Sequence, residues 1–426
     1  MKKEFGLAGF FAFILTCFLL SSCGKSSLVH SLNENRLFSL DYGNFEDELN
    51  LFDLAGTGTV STFMEMRDGF FYIANGESKK ILELNSYGDL LSLFYNDEVT
   101  KDVKFAEKSS SIGSRQDMSR DASRNSGQQN STKKAVSYPF NTLGPVTVDA
   151  RKFIYAADTL PSERQEMDSQ NKNVLKNVVL RFDNNGQFID YIGQQGPGGT
   201  PFPFIKKIYT TKKDELVVVC TTSDGSSVYW FNTSGFLLYN VLVSNSTVPK
   251  LAHDEKTEAP EYLSIGNIVP DSENYRLYIK VDYYIASLDE ALKVQSGVDY
   301  EKTMLYPLDV PSGKYEEPLE IPSYEYVITE NMAKEVYNLP YNFMGVTENG
   351  WFFFIIPDEN GFLVQMVQPD GQRVVKRSLS VDHSKILYYT LSLSGNGIIS
   401  GLFVKKEAAD VVWWRTDSLL SSFLNN

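Results

Sequence analysis

Short runs rich in β-branched and aromatic residues follow one another along the chain, many of them alternating apolar with polar, and tight polar turns separate them. A period of two and enrichment in Val, Ile, Phe and Tyr predict β-strands. The stretch VVLRFDNNGQFIDYIGQQGPGGTPFPFI, residues 178–205, shows the arrangement most clearly. Strands at 178–182 and 188–192 flank Asp183-Asn184-Asn185-Gly186, where the glycine supplies the positive φ that closes a tight hairpin. The Gly-Pro-Gly-Gly run at 196–199, with Pro201 and Pro203 after it, then interrupts pairing, because proline has no N–H to give a central strand. The chain is expected to leave one sheet here and enter another.

The same order of strands recurs. Residues 60–66, 70–74, 80–84 and 90–95 form a first unit; 146–149, 153–157, 178–182 and 188–192 a second; 205–210, 216–220, 228–231 and 236–243 a third. A stretched fourth unit uses 265–269, 276–281, 303–308 and 319–321, and a compact fifth uses 343–347, 351–356, 362–367 and 373–379. The sixth offers 386–393, 398–404 and 410–415 and is one strand short. The isolated run RLFSLDY at 36–42 is expected to supply that strand from the other end of the chain, in preference to the less regular 419–424, because closing the ring removes an exposed edge. Four-stranded repeats with a turn glycine at 88, 186, 235, 313 and 371 predict an all-β fold, a β-propeller of six four-stranded blades. A β-sandwich would not need the repeated order.

The N-terminus is read apart from the fold. Lys2 and Lys3 precede an apolar run that stops at Leu20-Ser21-Ser22-Cys23, which resembles a bacterial lipoprotein signal with its lipobox. The resemblance implies removal of residues 1–22, lipidation of Cys23 as the mature N-terminus, and a tether over 23–35; an uncleaved membrane anchor is the weaker reading, since the run is short. Acyl chains on Cys23 would hold the protein on a bilayer. Cleavage also removes Cys17 and leaves Cys220 without a partner, so no disulfide framework is expected, and Cys220 reads as a buried small hydrophobe rather than a nucleophile.

The repeat pattern resembles the NHL-type and related six-bladed β-propellers of bacterial envelope proteins. The match is carried by YIGQQGPGGTPFPFIKKIYTTKKDELVVV at 191–219 and GPVTVDARKFIYAAD at 144–158, and units four to six keep the strand order while losing the linker motif. A similarity to propeller lipoproteins of spirochetes also covers most of the mature chain. These resemblances imply a lipid-anchored protein of the cell envelope, on the inner or outer membrane and facing the periplasm or the exterior. Gly24 after Cys23 resembles an outer-membrane address.

With 42% hydrophobic and 13% aromatic residues a packed core is available, and one large propeller over 36–426 fits the length. Net charge is −14, and removing the signal, which carries one net positive charge, leaves −15, so nucleic acid is not an expected partner. Loop lengths are uneven. The turns between first and second strands, and the glycine hairpins between third and fourth, are short; the long insertions are the links 96–140, 244–262 and 322–341 and the loops 158–175 and 282–302 between second and third strands. In a propeller these two classes lie on opposite faces. The insertion 107–137 has nine serines, no aromatic residue, six basic and three acidic side chains, and is expected to be disordered.

Catalytic chemistry leaves little trace. His30, His253 and His383 lie far apart, no pair has ligand spacing, and each is expected at the surface. Gly56-Thr57-Gly58 lacks the third glycine of a dinucleotide site and precedes a strand. Asp149 and Asp158 flank strands of the second unit, where a role in binding a cation from the channel competes with the commoner one of capping a turn. The expectation is therefore no catalytic residue, no metal and no cofactor, with Cys23 as the lipidation site and a protein-binding or scaffolding module whose envelope partner meets the loop-bearing face. The alternative is a metal-dependent propeller enzyme of lactonase or lyase type.

Overall fold

The computed structural model describes residues 29–51, 61–101, 103, 133–167, 174–194, 200–251, 260–289, 294–330 and 333–424. It is a six-bladed β-propeller. From the axis outward, blade one is Thr62–Arg67, Phe70–Asn75, Lys80–Leu84 and Leu90–Tyr95; blade two is Val146–Val148, Ile154–Thr159, Asn177–Phe182 and Phe188–Ile192. Blade three is Phe204–Thr210, Leu216–Thr221, Gly225–Phe231 and Leu237–Ser244. Blade four is built on Glu261–Pro270, Arg276–Asp289 and Val294–Asp309, with Lys314–Tyr315 and Leu319–Ile321 sharing the outer edge. Blade five is Asn342–Val346, Phe352–Asp358, Gly361–Val367 and Val374–Ser380. Blade six takes Tyr388–Leu393, Ile399–Val404 and Ala409–Trp414 from the C-terminal end and Asn35–Leu40 from the N-terminal end, paired antiparallel to Ala409–Trp414. The ring is thus closed as the alternation at 36–42 predicted, while Asp417–Leu424 is a helix.

Why the blades repeat is visible in their turns. In blades one, two and three the hairpin before the outer strand begins with Asn85, Asp183 or Asn232, whose side-chain oxygen accepts the backbone N–H groups two and four residues on, at 2.7–3.0 Å. The turn ends on Gly88, Gly186 or Gly235, each at φ 84°, and the register slips by one residue where the ladder resumes. An Asx side chain and a left-handed glycine therefore set the same bulged hairpin in all three.

The core is distributed around the ring. Six buried clusters lie one at each junction of neighbouring blades, from the Phe38, Met64, Phe71 and Val411 group between blades six and one to the Trp351, Phe353, Val364 and Trp414 group between five and six. Each blade has two apolar faces, so its strands read as nearly continuous hydrophobic runs, and no blade could bury its surface alone.

Three expectations need correction. The tether expected over 23–35 is structured at its end: His30–Leu32 pairs in parallel with the outer strand of blade five, so the chain staples blade five before entering blade six. The end of the 107–137 insertion, Lys134–Ser137, pairs in parallel with Leu90–Tyr95 as a fifth strand, because Val136 and Tyr138 pack against the aromatic junction of blades one and two; the rest of that insertion lies outside the described residues. The insertions 282–302 and 322–341 are β-hairpins, not loops. Arg276–Asp289 and Val294–Asp309 pair along their whole length, and Tyr324–Glu330 with Ala333–Leu339 forms a separate two-stranded sheet. Their alternation of Tyr, Val and Ile is a strand pattern that polar surroundings obscured.

Candidate functional site

The six inner strands converge on a channel whose mouth opens on the face of short turns. A cavity of about 260 Å³ there is lined by the ends of all six, including Glu65, Arg67, Thr147, Tyr209, Asp271, Met344 and Ser394. Glu65 sits between Met64 and Met66, both buried in the core, so the pleat turns its carboxylate into the channel. Burial raises the Glu65 carboxyl above the usual carboxylate range, against the pull of Lys207, of Ser392, whose Oγ donates to Glu65 Oε2 at 3.3 Å, and of Arg67. Burial and the neighbouring Glu65 hold the Tyr209 phenol well above its ordinary value. Arg67 Nη1 donates to the Val148 carbonyl at 2.8 Å and to Thr210 Oγ1 at 3.3 Å, tying blades one, two and three together at the mouth. At the rim, Lys212 Nζ bridges Glu273 at 2.6 Å and Glu348 at 3.2 Å.

Such a lumen offers a buried carboxyl, a phenol and a guanidinium to a polar molecule. Among the described residues no three His, Cys, Asp or Glu side chains come close enough to hold a metal ion. Asp149 and Asp158 do not reach the channel. Asp149 caps its own turn, accepting from Arg151 Nε at 2.9 Å, Phe153 N at 2.8 Å and Tyr155 OH at 3.2 Å; Asp158 accepts the backbone N–H groups of Thr142 at 2.6 Å and Thr159 at 2.8 Å. Both carboxylates are consumed by local backbone, as short Asp side chains at strand ends generally are.

The opposite face is built differently. The blade-four hairpin and the Tyr324–Glu330/Ala333–Leu339 hairpin project from it and carry exposed Val298, Tyr326, Val327, Val336 and Tyr337, with exposed Tyr262 on the strand beside the first.

Of the residues singled out in the sequence, Cys23, His253 and Gly56-Thr57-Gly58 lie outside the described residues. His30 is exposed on the stapling strand. His383 is half-buried rather than at the surface, its Nε2 2.6 Å from the Gly361 carbonyl and its ring 4.9 Å from that of Phe362. Cys220 is buried, and burial pushes its thiol up to about 12, the state of a packing residue. No helix among the described residues is long and apolar enough to cross a membrane. Sequence reasoning missed Glu65, although a lone acidic residue in the alternating run TFMEMR was a usable signal.

No known family model and no curated protein matches the chain. Among solved structures it is similar to a gluconolactonase of Xanthomonas campestris, with 10% identity and a TM-score of 0.37 over 92% of this chain and 98% of that one. It is also similar to regucalcin, a calcium-binding protein of Agrobacterium tumefaciens, at 9% identity and TM-score 0.40 over 90% and 94% of the two chains. A polysaccharide lyase is similar at 7% identity and TM-score 0.39 over 90% and 99%.

Proposed function

We propose that this chain is a cell-envelope lipoprotein, anchored through Cys23, whose propeller is a rigid binding module of the NHL-like kind met in spirochete-type envelopes, and that its partner is an envelope protein docking on the loop-bearing face. The observation that supports the reading is the asymmetry of the two faces. Turns on the channel-mouth face stay near minimum length, whereas the other face carries two paired hairpins with exposed tyrosines and valines. A closed ring of blades is stiff, and binding residues concentrate on segments raised above such a scaffold.

Crosslinking and pull-down from native membranes tests the docking. Replacing 286–298 and 326–337 each by Asn-Gly should abolish recovery of the partner while leaving a cooperative melt; recovery equal to wild type from a folded variant refutes it. The anchor is tested separately: labelled palmitate should enter the wild type and be absent from Cys23→Ala.

A second reading, a metal-dependent lactonase or lyase, draws on Glu65 with its raised carboxyl beside Tyr209 and Arg67 in the channel. A stoichiometric divalent ion in the purified protein would favour it over the binding module.

A further inference from the structure

On the loop-bearing face a cleft of about 330 Å³ opens between the Tyr324–Glu330/Ala333–Leu339 hairpin, the Asp358–Gly361 turn of blade five and the start of blade six. Three tyrosines, Tyr324, Tyr326 and Tyr389, and two carboxylates, Asp358 and Glu359, line it. Asp358 accepts a hydrogen bond from Tyr324 OH at 3.1 Å, and among the described residues no lysine or arginine forms an ion pair with it or with Glu359. His383 also lines the cleft, its Nε2 2.6 Å from the Gly361 carbonyl; Lys385 pairs with Asp382 at 2.9 Å, and Lys376 lies over the Tyr341 ring, 5.9 Å from its centre. Aromatic rings offer a negative face, and carboxylates beside them add full charge, so the complementary group is an ammonium or guanidinium.

Resting on the docking face proposed above, we propose that this cleft seats an arginine or lysine side chain from an extended basic segment of the partner protein. A protein, rather than a lipid headgroup carrying a quaternary ammonium, is favoured by the hairpin itself. It is a two-stranded sheet with no third strand among the described residues, so its edges offer a row of backbone donors and acceptors that an extended peptide satisfies and a headgroup does not. The peptide would lie along the edge and lower one cationic side chain between the tyrosines.

Fluorescence polarisation with labelled hexa-arginine and hexa-glutamate peptides tests this on the full folded chain. Wild type should bind hexa-arginine and not hexa-glutamate. Tyr326→Ala/Tyr389→Ala, which leaves the charge unchanged, and Asp358→Asn/Glu359→Gln should each weaken binding about tenfold, given the strength of desolvated cation–π contacts and charged hydrogen bonds. Asp68→Asn/Asp370→Asn, an equal charge loss on the opposite face, should stay within about twofold, since the seven-residue strand Gly361–Val367, roughly 23 Å of rise, separates the Asp370 turn from the cleft and exceeds the screening length. Circular dichroism melts confirm that each variant is folded. The proposal is overturned if hexa-arginine does not bind, if the tyrosine variant binds it as wild type does, if the opposite-face variant loses as much as the cleft variant, or if phosphatidylcholine vesicles bind in place of the peptide. If the hairpin deletions lose the membrane partner and Tyr326→Ala/Tyr389→Ala keeps it, the docking face stands and the cleft assignment falls.

Discussion

Asp410→Asn at the seam of the ring tests how the propeller is held shut. Asp410 is 4% exposed and receives Ser39 Oγ at 2.6 Å and Arg36 Nε at 3.1 Å from the N-terminal strand, and Lys405 Nζ at 2.7 Å from its own blade. Severing a buried ion pair costs roughly 3–5 kcal/mol, but Lys405 and Arg36 are 37% and 61% exposed, so solvent screens most of their share. What remains is chiefly the Ser39 bond to a buried charge, roughly 1.5–3 kcal/mol, and the expected loss is about 2 kcal/mol. Urea unfolding measures it, and trypsin cleavage after Arg36 should accelerate as the strand releases. The pH dependence fixes the mechanism. Burial raises the Asp410 carboxyl, but the hydrogen bonds from Lys405 and Ser39 and the charges of Lys405 and Arg36 outweigh it and hold the group below its ordinary 3.8. A depressed carboxyl stabilises above its unfolded value and loses that contribution as pH falls through the folded one, so the gap between wild type and variant should persist at pH 7 and 5 and close below about pH 4. A variant within about 0.5 kcal/mol of wild type at pH 7, with unchanged cleavage at Arg36, would refute the reasoning.

Three further outcomes are expected. Gly361→Ala should destabilise by several kcal/mol, because an added Cβ would lie 2.1 Å from the Leu379 carbonyl oxygen and 2.5 Å from Val381 N at φ +134°, whereas Gly69→Ala, at φ +79° with open space around it, should cost only about 1 kcal/mol in the same urea titration. Lys80 is fully buried with Nζ on the Phe45 carbonyl at 2.5 Å; burial lowers it to about 8 despite Glu48, Asp47 and Glu46, so the folded state sheds this proton first and stability should rise by about 2 kcal/mol from pH 7.5 to 9.5, a rise absent in Lys80→Met. Cys220 should resist iodoacetamide at pH 7.5 in the native protein and react once urea unfolds it; native labelling would contradict its burial.

Much of the architecture is local and so was legible. Period-two alternation, Asx-x-x-Gly turns and their recurrence named the strands and the blades, because each depends on residues within one hairpin, and the count of three strands in the sixth repeat pointed to the alternating run at 36–42 for the fourth. The stapling strands were not legible: HSL at 30–32 and KAVS at 134–137 are too short to carry a pattern, and they pair in parallel with partners distant in sequence. The strand extensions over 282–302 and the hairpin within 322–341 read as loops in the sequence because water-facing strands lack the apolar continuity of the blade core. The same split governs the sites. In the sequence, the proposed anchor at Cys23 rests on a motif read without folding, and the unequal loop lengths are visible there too. Only the tertiary structure turned Glu65 into the channel and brought Tyr324, Tyr326, Asp358 and Tyr389 to one cleft, because closing a ring of blades sets side chains from separate repeats side by side, and no spacing along the chain encodes that meeting.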